Sequence, residues 1–473
     1  MLRDINGSIH FVGIGGIGMS GLAQSYRWAG FEVSGSDRAL DNPENAELFA
    51  KLRKQGIKIY PQDGSFAKKL KPSLIIYSTA IESDNPDFIA GENVEKRHRA
   101  AALSDIVKFM KDKVSIAISG SCGKTSATAW TGEALYNLGL DPVVLNGGMI
   151  NSFCNSTYTG NFRPGKGKYF VYEADESDKS LIAFNPNYSV LLNIGTDHYS
   201  KEELVEVFEK FLMNTKKGAV IEEELFGMLS KDSYAHLKIK TVSLANSGSS
   251  EWELVSYHGG ISQKAIYNCK EKTIEFKLPQ PGIHNASNAL CVSALINLLL
   301  PDADLQKVFK SVESFKGVHR RFEEKGFMPN GALVIDDYAH NVEKIVSCIK
   351  TAQEISSGRV FAVFQPHGYG PFKFMRDPLL PELEKCLRTE DKFILMPVYY
   401  AGGTSSFTPK AEEVQQEYEH KSSIKKRYFF FSDRISAGKY LQSETLKNDT
   451  IVIMGARDSS LALWAEELTT KIK

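Results

Sequence analysis

The sequence contains few of the residues that build covalent or metal-stapled folds. Its 473 residues include only 6 cysteines and 17 prolines, and no two cysteines form a Cys-x-x-Cys pair. Widely spaced cysteines argue against zinc ribbons and disulfide frameworks and are typical of a reducing compartment, so we expect a cytoplasmic protein. Hydrophobic residues make up 42% of the chain. That fraction excludes a fibrous or disordered chain and predicts several hydrophobic cores.

An excess of charge of either sign is also lacking. Lys plus Arg total 57, and Asp plus Glu total 57. Without a net positive field, nothing draws in nucleic acid or an anionic membrane over long range. The longest apolar stretch, 288–300, is too short to cross a bilayer, and the first residues carry no signal-peptide core. We therefore expect no nucleic-acid partner, no export and no membrane insertion.

The pattern along the chain predicts an α/β protein of three domains. The length alone favours three domains at about 100 to 200 residues each. Three times, a β-branched and aromatic run is followed by a glycine-rich or charged turn and then by a helical period. We expect a Rossmann-like domain over 1–110, a central domain over 111–318 and a second Rossmann-like domain over 319–473. Between Trp252 and Leu278 the period changes to 2, which predicts added antiparallel hairpins.

The central domain begins with a phosphate-binding pattern. A predicted strand at 114–118 leads into Gly120-Ser121-Cys122-Gly123-Lys124-Thr125, which opens a helix. Successive backbone N–H groups and a helix N-terminus suit a phosphate chain. Lys124 would reach the β and γ oxygens, and the Thr125 hydroxyl would bind Mg²⁺. Ile118 stands where the longer Walker A pattern has glycine, so only the G-x-x-G-K-T form remains; the alternative is a plain turn with a surface lysine.

An acidic segment follows the next predicted strand of this domain. Four carboxylates occur in six residues from Glu173 to Asp178, and such crowding calls for a cation. Ligands bind at the carboxyl edge of parallel sheets, so Glu173 can face the Mg²⁺ near Thr125. His198 follows another strand and is a second candidate metal ligand. The alternatives are a solvated acidic turn and a structural histidine.

The first domain contains a different glycine pattern. Gly13, Gly15 and Gly18, with Asp37 some twenty residues on, fit the dinucleotide fingerprint. Read alone, this pattern indicates NAD and an oxidoreductase, which remains one competing hypothesis. That hypothesis leaves the second glycine loop and the acidic segment without a role.

Eight motifs, taken in order, resemble those of the Mur ligase family, ATP-dependent amide-forming enzymes of bacterial cell-wall assembly. The motifs lie at 11–23, 35–37, 173–178, 197–198, 282–289, 320–322, 336–340 and 364–367. The likeness covers the whole chain and is greatest to members that act on UDP-N-acetylmuramate and L-alanine. It implies ATP and Mg²⁺ as cofactors and a UDP-sugar and an amino acid or short peptide as substrates. A muramoyl carboxylate would be activated as an acyl phosphate and then attacked by the amine.

The resemblance also implies roles for particular residues. The implied catalytic residues are Lys124, Glu173, His198 and Arg321, and the implied metal ligands are Thr125, Glu173 and His198. The implied ATP contacts are Gly120, Ser121, Cys122, Gly123, Lys124, Thr125, Ser126, Asn285, Asn288, Arg321 and Asp337. The implied contacts to the UDP-sugar are Gly15, Gly16, Ile17, Gly18, Asp37 and Ser78. The implied contacts to the amine are Tyr338, His340, His367, Lys373 and Arg376.

Each of these assignments has a structural alternative. The Asn285 region could cap a helix, Arg321 could be an ordinary surface arginine, and Asp337 could be a helix N-cap. Ser78 could belong to a structural turn. A Mur-like binding protein without catalysis is a third hypothesis, against which the retained Lys124 speaks.

The sequence departs from the family pattern in the amine-binding region. Gly368 follows His367 where the family has an arginine, and we expect 368–377 to form a longer loop in which Lys373 or Arg376 replaces the missing cation. Asn341 and Val342 also differ from the family's motif. The acceptor could therefore be another amino acid or a preformed murein peptide.

Overall fold

The computed structural model describes residues 7–176, 180–195, 199–245, 248–400 and 407–470. These residues form two compact units. The first unit contains 7–257, 264–279 and 283–319, and the second contains 258–263, 280–282 and 320–470. Two sheets belong to the first unit and one to the second. The three-domain α/β class is confirmed, whereas the exact boundaries at 110 and 318 stay predictions.

The first sheet has five parallel strands. The strands are β1 Ser8–Val12, β2 Glu32–Asp37, β3 Lys58–Pro61, β4 Leu74–Tyr77 and β5 Glu95–His98. The helices are α1 Ile17–Trp28, α2 Ala46–Lys54, α3 Phe66–Lys69, α4 Pro86–Ala90 and α5 Arg99–Phe109, with a 3-10 turn at Pro43–Asn45. The spatial order is β3-β2-β1-β4-β5, as in a Rossmann-type sheet. β1 lies in the centre, so the glycine loop after it lies at the carboxyl edge of the sheet.

The second sheet has ten strands. Its strands are β6 Val114–Ser119, β7 Val143–Leu145, β8 Phe162–Arg163, β9 Tyr169–Glu173, β10 Tyr188–Leu191, β11 Gly218–Glu222, β12 Lys238–Ser243, β13 Trp252–His258, β14 Lys264–Cys269 and β15 Lys272–Lys277. The helices are α6 Lys124–Asn137, α7 Lys201–Asn214, α8 Glu223–Phe226, α9 Lys231–Tyr234, α10 Ile283–Leu299 and α11 Leu305–Glu313, with 3-10 turns at Asn151–Phe153 and Ser180–Ala183. The order is β15-β14-β13-β12-β11-β10-β6-β9-β7-β8.

The arrangement around β6 places the candidate site. β6 pairs in parallel with β9 on one side and with β10 on the other, so all three strands end at one edge of the sheet. The β14–β15 pair is antiparallel, which confirms the predicted hairpin. A single hydrophobic cluster runs from the first sheet to one face of the second, and it includes Phe11, Tyr26, Phe170 and Leu191. The two sheets of the first unit thus share part of their core.

The third sheet forms the body of the second unit. Its strands are β16 Glu323–Phe327, β17 Leu333–Asp337, β18 Val360–Phe364, β19 Lys392–Leu395, β20 Tyr428–Phe430 and β21 Thr450–Met454. The helices are α12 Val342–Ile355, α13 Tyr369–Cys386, α14 Ala411–Lys421, α15 Arg434–Glu444 and α16 Ser460–Leu468. The order is β16-β17-β21-β18-β19-β20, and only β16 is antiparallel to its neighbour.

The expectation of a long loop over 368–377 is wrong. Helix α13 begins at Tyr369 and contains the whole segment beyond Gly368. Pro371 lies in the first turn, where a backbone N–H has no partner inside the helix, so proline is tolerated there. None of the helices in the described ranges combines the length and the apolar character that a membrane span requires.

Candidate active site

The segment 120–125 joins the central strand β6 to helix α6. Gly120 has φ 138° and Gly123, the N-cap residue of α6, has φ 84°, both in the region that favours glycine. A Cβ on Gly120 would come within 3.0 Å of the Leu192 side chain, and one on Gly123 within 2.8 Å of Asn288 Oδ1. Both glycines are therefore demanded by conformation and by space, as in a loop whose backbone approaches a ligand.

Lys124 is held at the centre of this loop. Its Nζ donates to the carbonyl oxygens of Gly120, at 2.8 Å, and Ser121, at 3.3 Å. It also lies 2.7 Å from Glu176 Oε2 and 3.7 Å from Asp175 Oδ1, and its side chain is only 13% exposed. Burial acts to lower the pKa of Lys124, but the neighbouring carboxylates outweigh burial and raise that pKa. The surface-lysine alternative is wrong, and the ammonium stays charged at neutral pH.

Thr125 and Glu173 meet across two neighbouring strand ends. Thr125 Oγ1 donates to Glu173 Oε1 at 3.2 Å, and the Gly147 N–H donates to Glu173 Oε2 at 2.9 Å. Hydroxyl and carboxylate oxygens are the ligand types that suit Mg²⁺, so the donor set fits the predicted metal. The third predicted ligand, His198, lies outside the described residues. Across the described ranges, no three His, Cys, Asp or Glu side chains gather as a metal-binding group.

Asn193 is a residue of this site that sequence reasoning did not single out. Its Oδ1 accepts the Cys122 N–H at 2.8 Å, and its Nδ2 donates to the Cys122 carbonyl at 3.0 Å. The Ser121 hydroxyl oxygen accepts the Gly195 N–H at 2.7 Å. These bonds tie the loop to the end of β10 and fix its backbone. The position of Asn193 directly after a parallel strand was the available signal.

The predicted adenine-side asparagines lie inside helix α10. Asn285 and Asn288 are both buried, and Asn288 Nδ2 lies 3.5 Å from Asn285 Oδ1. Because α10 begins at Ile283, Asn288 is one full turn inside the helix and is not its cap. Its amide abuts Gly123, so the helix supports the phosphate loop directly. Contact of either asparagine with the nucleotide stays a prediction.

The first glycine loop is closed by the predicted acidic residue. Asp37 Oδ2 accepts the Gly15 N–H at 2.7 Å, and its Oδ1 accepts the Ala39 N–H at 2.9 Å. The Ser78 carbonyl accepts the Ile81 N–H at 3.0 Å, so Ser78 does belong to a turn. That turn lies against the loop, because a Cβ on Gly13 would come within 3.3 Å of Ile81 Cδ1. The predicted roles of Gly15, Asp37 and Ser78 toward the UDP-sugar stay predictions, as do those of 16–18.

Arg99 connects the two loops of the first unit, and sequence reasoning missed it. A Cβ on Gly18 would lie 3.2 Å from Arg99 Nη1, and Arg99 Nη2 lies 3.7 Å from Asp175 Oδ2. The side chain is 37% exposed. The first glycine loop and the acidic segment beside Lys124 thus share one cation, which no local pattern could indicate.

In the second unit, Asp337 and Arg321 lie together at the end of β17. Asp337 accepts the N–H groups of Phe322 and Ala339, each at 2.7 Å. Burial raises the pKa of Asp337, and the positive charge of Arg321 opposes that rise. The Arg321 guanidinium lies over the Tyr338 ring, 5.2 Å from its centroid. Asp337 is not a helix N-cap, because Asn341 caps α12.

Two of the predicted amine-binding residues, His340 and His367, are neighbours. Their rings meet edge to face at 5.4 Å between centroids, and His340 Nδ1 donates to the Tyr338 carbonyl at 2.9 Å. Burial lowers the pKa of both histidines to about 4, so both are neutral at pH 7. Among the described residues, no hydrogen bond or ion pair joins Lys373 or Arg376 to this pair. Arg376 Nε instead lies 3.4 Å from Asp377 Oδ1, and Lys373 is exposed on α13.

Comparison with known proteins agrees with this architecture. Three family models match in order: "Mur ligase family, catalytic domain" over 8–111, "Mur ligase middle domain" over 118–296 and "Mur ligase, glutamate ligase domain" over 320–457. Along the sequence, the domain with the phosphate loop is preceded and followed by Rossmann-like domains, which is the domain order of an ATP-dependent ligase. The chain belongs to the Mur ligase family.

Individual relatives span nearly the whole chain. It is 34% identical to the UDP-N-acetylmuramate--L-alanine ligase of Acetivibrio thermocellus, covering 95% of this chain and 93% of that protein. It is 33% identical to the ligase of the same name from Clostridium perfringens, with 85% of each chain covered. Among solved structures, the UDP-N-acetylmuramate-alanine ligase of Thermotoga maritima has a TM-score of 0.77 at 28% identity, covering 98% of this chain and 99% of that one.

Proposed function

We propose that this protein is an ATP-dependent ligase that forms an amide bond between L-alanine and the muramoyl carboxylate of UDP-N-acetylmuramate in peptidoglycan synthesis. The observation that carries the proposal is the contact between the phosphate loop and the acidic segment at the ends of adjacent parallel strands, where Thr125 donates to Glu173 and Lys124 pairs with Glu176. The names of the full-length relatives supply the substrates. Because ATP and nucleotide sugars are made in the cytoplasm, we place the reaction there.

The chemistry couples two displacements. A carboxylate oxygen of the muramoyl group attacks the γ-phosphorus of ATP, and the bond to ADP breaks, which gives an acyl phosphate. The amine nitrogen then attacks the acyl carbon, phosphate leaves with the former carboxylate oxygen, and the amine loses a proton. Two anions must approach in the first step, so local positive charge and exact positioning supply most of the acceleration.

The side chains of the first unit are suited to that first step. The Lys124 ammonium is fixed by two carbonyl oxygens of its own loop, so it would neutralise phosphate charge with little rearrangement. Thr125 and Glu173, with His198 from beyond the described residues, would hold Mg²⁺, which supplies further neutralisation of the phosphates. The backbone N–H groups of 120–125 would bind the phosphate oxygens. The guanidinium of Arg99, beside Gly18, would bind the diphosphate of the UDP-sugar.

The side chains of the second unit are suited to the second step. Neutral imidazoles at His340 and His367 offer nitrogen lone pairs for the N–H groups of an incoming amine. Asp337 would accept hydrogen bonds from the ribose hydroxyls of ATP, and Arg321 would bind its phosphates. The first glycine loop would bind UDP in place of a nicotinamide nucleotide, since the oxidoreductase hypothesis leaves the second glycine loop and the acidic segment without a role.

The test is phosphate release from ATP, Mg²⁺ and UDP-N-acetylmuramic acid with a panel of amines. We expect turnover with L-alanine above that of glycine, serine, D-alanine and the tripeptide L-alanyl-γ-D-glutamyl-meso-diaminopimelate. Turnover with the tripeptide alone would assign a peptide-adding paralogue. Phosphate release that no amine raises above the amine-free control would refute the proposal.

A further inference from the structure

The loop after β21 lies between the two segments that carry the histidine pair. β21 is flanked by β17 and β18, and Met454 is in register with Asp337 on one side and Phe364 on the other. The three strands are parallel, so their chains leave the sheet at one edge. Each of these three register positions is followed, three residues later, by a polar side chain: His340 after Asp337, Arg457 after Met454 and His367 after Phe364. The topology therefore brings one arginine to the edge where the two imidazoles meet.

Arg457 has a backbone conformation that arginine rarely adopts. Its φ is 65°, in the left-handed region that costs little only for glycine. Strained residues of this kind persist where the surroundings hold them, and they cluster at binding sites. The side chain is exposed. Hydrophobic burial of this residue therefore does not explain the strain.

The neighbouring residues fix the loop from beneath. Asp458, which is 5% exposed, accepts from Gln365 Nε2 at 2.9 Å and from Arg434 Nη2 at 2.7 Å. The buried Arg320 donates to the carbonyl oxygens of Gly455, at 2.7 Å, and Asp458, at 2.9 Å. Ala456 and Arg457 lie between these two anchored positions, and the Asp458 N–H donates to the Ala456 carbonyl at 2.8 Å. The backbone on both sides of Arg457 is therefore held by hydrogen bonds.

The guanidinium of Arg457 is available to an anion. Within the described ranges, it makes no hydrogen bond or ion pair with the protein. It is close enough to His367 for its charge to add to the lowering of that residue's pKa, which burial dominates. His340, with its Nδ1 proton on the Tyr338 carbonyl, keeps a lone pair on Nε2. A cation and a neutral acceptor at one strand edge match the two ends of a zwitterionic α-amino acid.

We propose that Arg457 binds the α-carboxylate of the incoming amino acid and so selects acceptors with a free carboxylate beside the amine. The inference rests on the proposed ligase function and deepens it. A guanidinium binds a carboxylate through two parallel hydrogen bonds, which also fixes the orientation of the amine. This assignment replaces the expectation that Lys373 or Arg376 supplies the cation.

The test compares Arg457→Gly with Arg457→Lys and with Asn448→Gly as a matched control. Asn448 also has a left-handed backbone, φ 77°, but it precedes β21 and so lies at the opposite end of the strand. Glycine suits φ 65°, so we expect Arg457→Gly to melt at or above the temperature of the unaltered protein. Loss of function in that variant cannot then be attributed to misfolding.

Steady-state phosphate release gives the KM for L-alanine, ATP and UDP-N-acetylmuramic acid. For Arg457→Gly we expect the KM for L-alanine to rise about 10- to 100-fold, with less than a twofold change for ATP, because a charge-assisted carboxylate contact is lost. The preference for L-alanine over L-alaninamide should fall by a similar factor. The KM for L-alanine of Arg457→Lys should lie between those of Arg457→Gly and the unaltered protein, and that of Asn448→Gly should equal that of the unaltered protein.

The possible results distinguish a failure of the Arg457 assignment from a failure of the proposed ligase function. Turnover by the unaltered protein together with an unchanged KM for L-alanine in Arg457→Gly would overturn the inference alone. An equal loss with L-alanine and L-alaninamide would overturn it as well, since the amide has no carboxylate to lose. Absence of amine-dependent turnover in the unaltered protein would overturn the proposed function, and the inference with it.

Discussion

Replacing Lys124 by methionine removes a buried charge while keeping an unbranched side chain of similar length. The ammonium lies 2.7 Å from Glu176, whose side chain is 4% exposed. At an effective dielectric constant of about 20, a unit pair at that distance attracts by about 6 kcal/mol. The desolvation of both charges offsets part of that attraction. The net cost of removing one partner from a buried pair is about 3 to 5 kcal/mol, because the remaining charge is uncompensated.

Two separate results follow for Lys124→Met. The free energy of unfolding should fall by about 3 kcal/mol or more. The pKa of Glu176, which burial already raises, should rise further when the neighbouring ammonium is lost. Ligase turnover should fall by about a hundredfold or more, because a fixed positive charge beside the phosphates is lost. Urea unfolding and phosphate release measure the two effects independently.

The double variant Lys124→Met, Glu176→Gln separates stability from catalysis. Removing both charges should restore most of the unfolding free energy, because no uncompensated ion remains. Turnover should stay as low as in the single variant. If Lys124→Met were as stable as the unaltered protein, or if the double variant regained turnover, the assignment of Lys124 to both an ion pair and the phosphates would be refuted.

Three further predictions concern other parts of the molecule. Arg99→Ala should raise the KM for UDP-N-acetylmuramic acid about tenfold and leave the KM for ATP within twofold, whereas alanine at the exposed Arg53 should change neither in the same kinetic assay. Asn161→Ala should lower the unfolding free energy by about 2 to 3 kcal/mol, measured in urea, because the buried Asn161 amide donates to the Ile17 carbonyl at 2.6 Å and its neighbours would be left unpaired. The histidine pair should make stability fall with acid. The pKa of each is about 4 in the folded chain against 6.5 unfolded, so the unfolded chain binds more protons between those values. The unfolding free energy at pH 5 should therefore be about 2 kcal/mol lower per histidine than at pH 7. Glutamine at His340 and His367 should flatten that dependence, and an unchanged slope would contradict it.

The parts of the fold and the site that could be predicted from the sequence are those with a local sequence pattern. The phosphate loop was recognisable because Gly120, Gly123 and Lys124 lie within five consecutive residues. The strand ends at Glu173 and Asp337 were recognisable because a buried strand has a short, regular pattern. The hairpin of β14 and β15 was recognisable because its period is 2.

The residues that sequence reasoning missed depend on contacts between distant segments. Arg99 and Asp175 are 76 positions apart, and only the packing of the first two sheets brings them within 3.7 Å. The position of Arg457 depends on the order of three strands, which no local pattern records. The segment 368–377 was taken for a loop because it departs from the family pattern after His367. Pro378 and Pro381 also lie inside helix α13, and proline there lacks the N–H for an intrahelical bond. Tertiary packing of Phe372, Leu379 and Leu383 outweighs that loss.

In the proposed reaction, the muramoyl carboxylate is phosphorylated at the loop around Lys124 before the amide forms. UDP-N-acetylmuramic acid labelled with ¹⁸O in its carboxylate tests this step directly, with the released phosphate measured by mass spectrometry. We expect one ¹⁸O atom in each phosphate formed with L-alanine, because the phosphate leaves with a former carboxylate oxygen. Phosphate free of the label, released at the same rate as amide product, would contradict it.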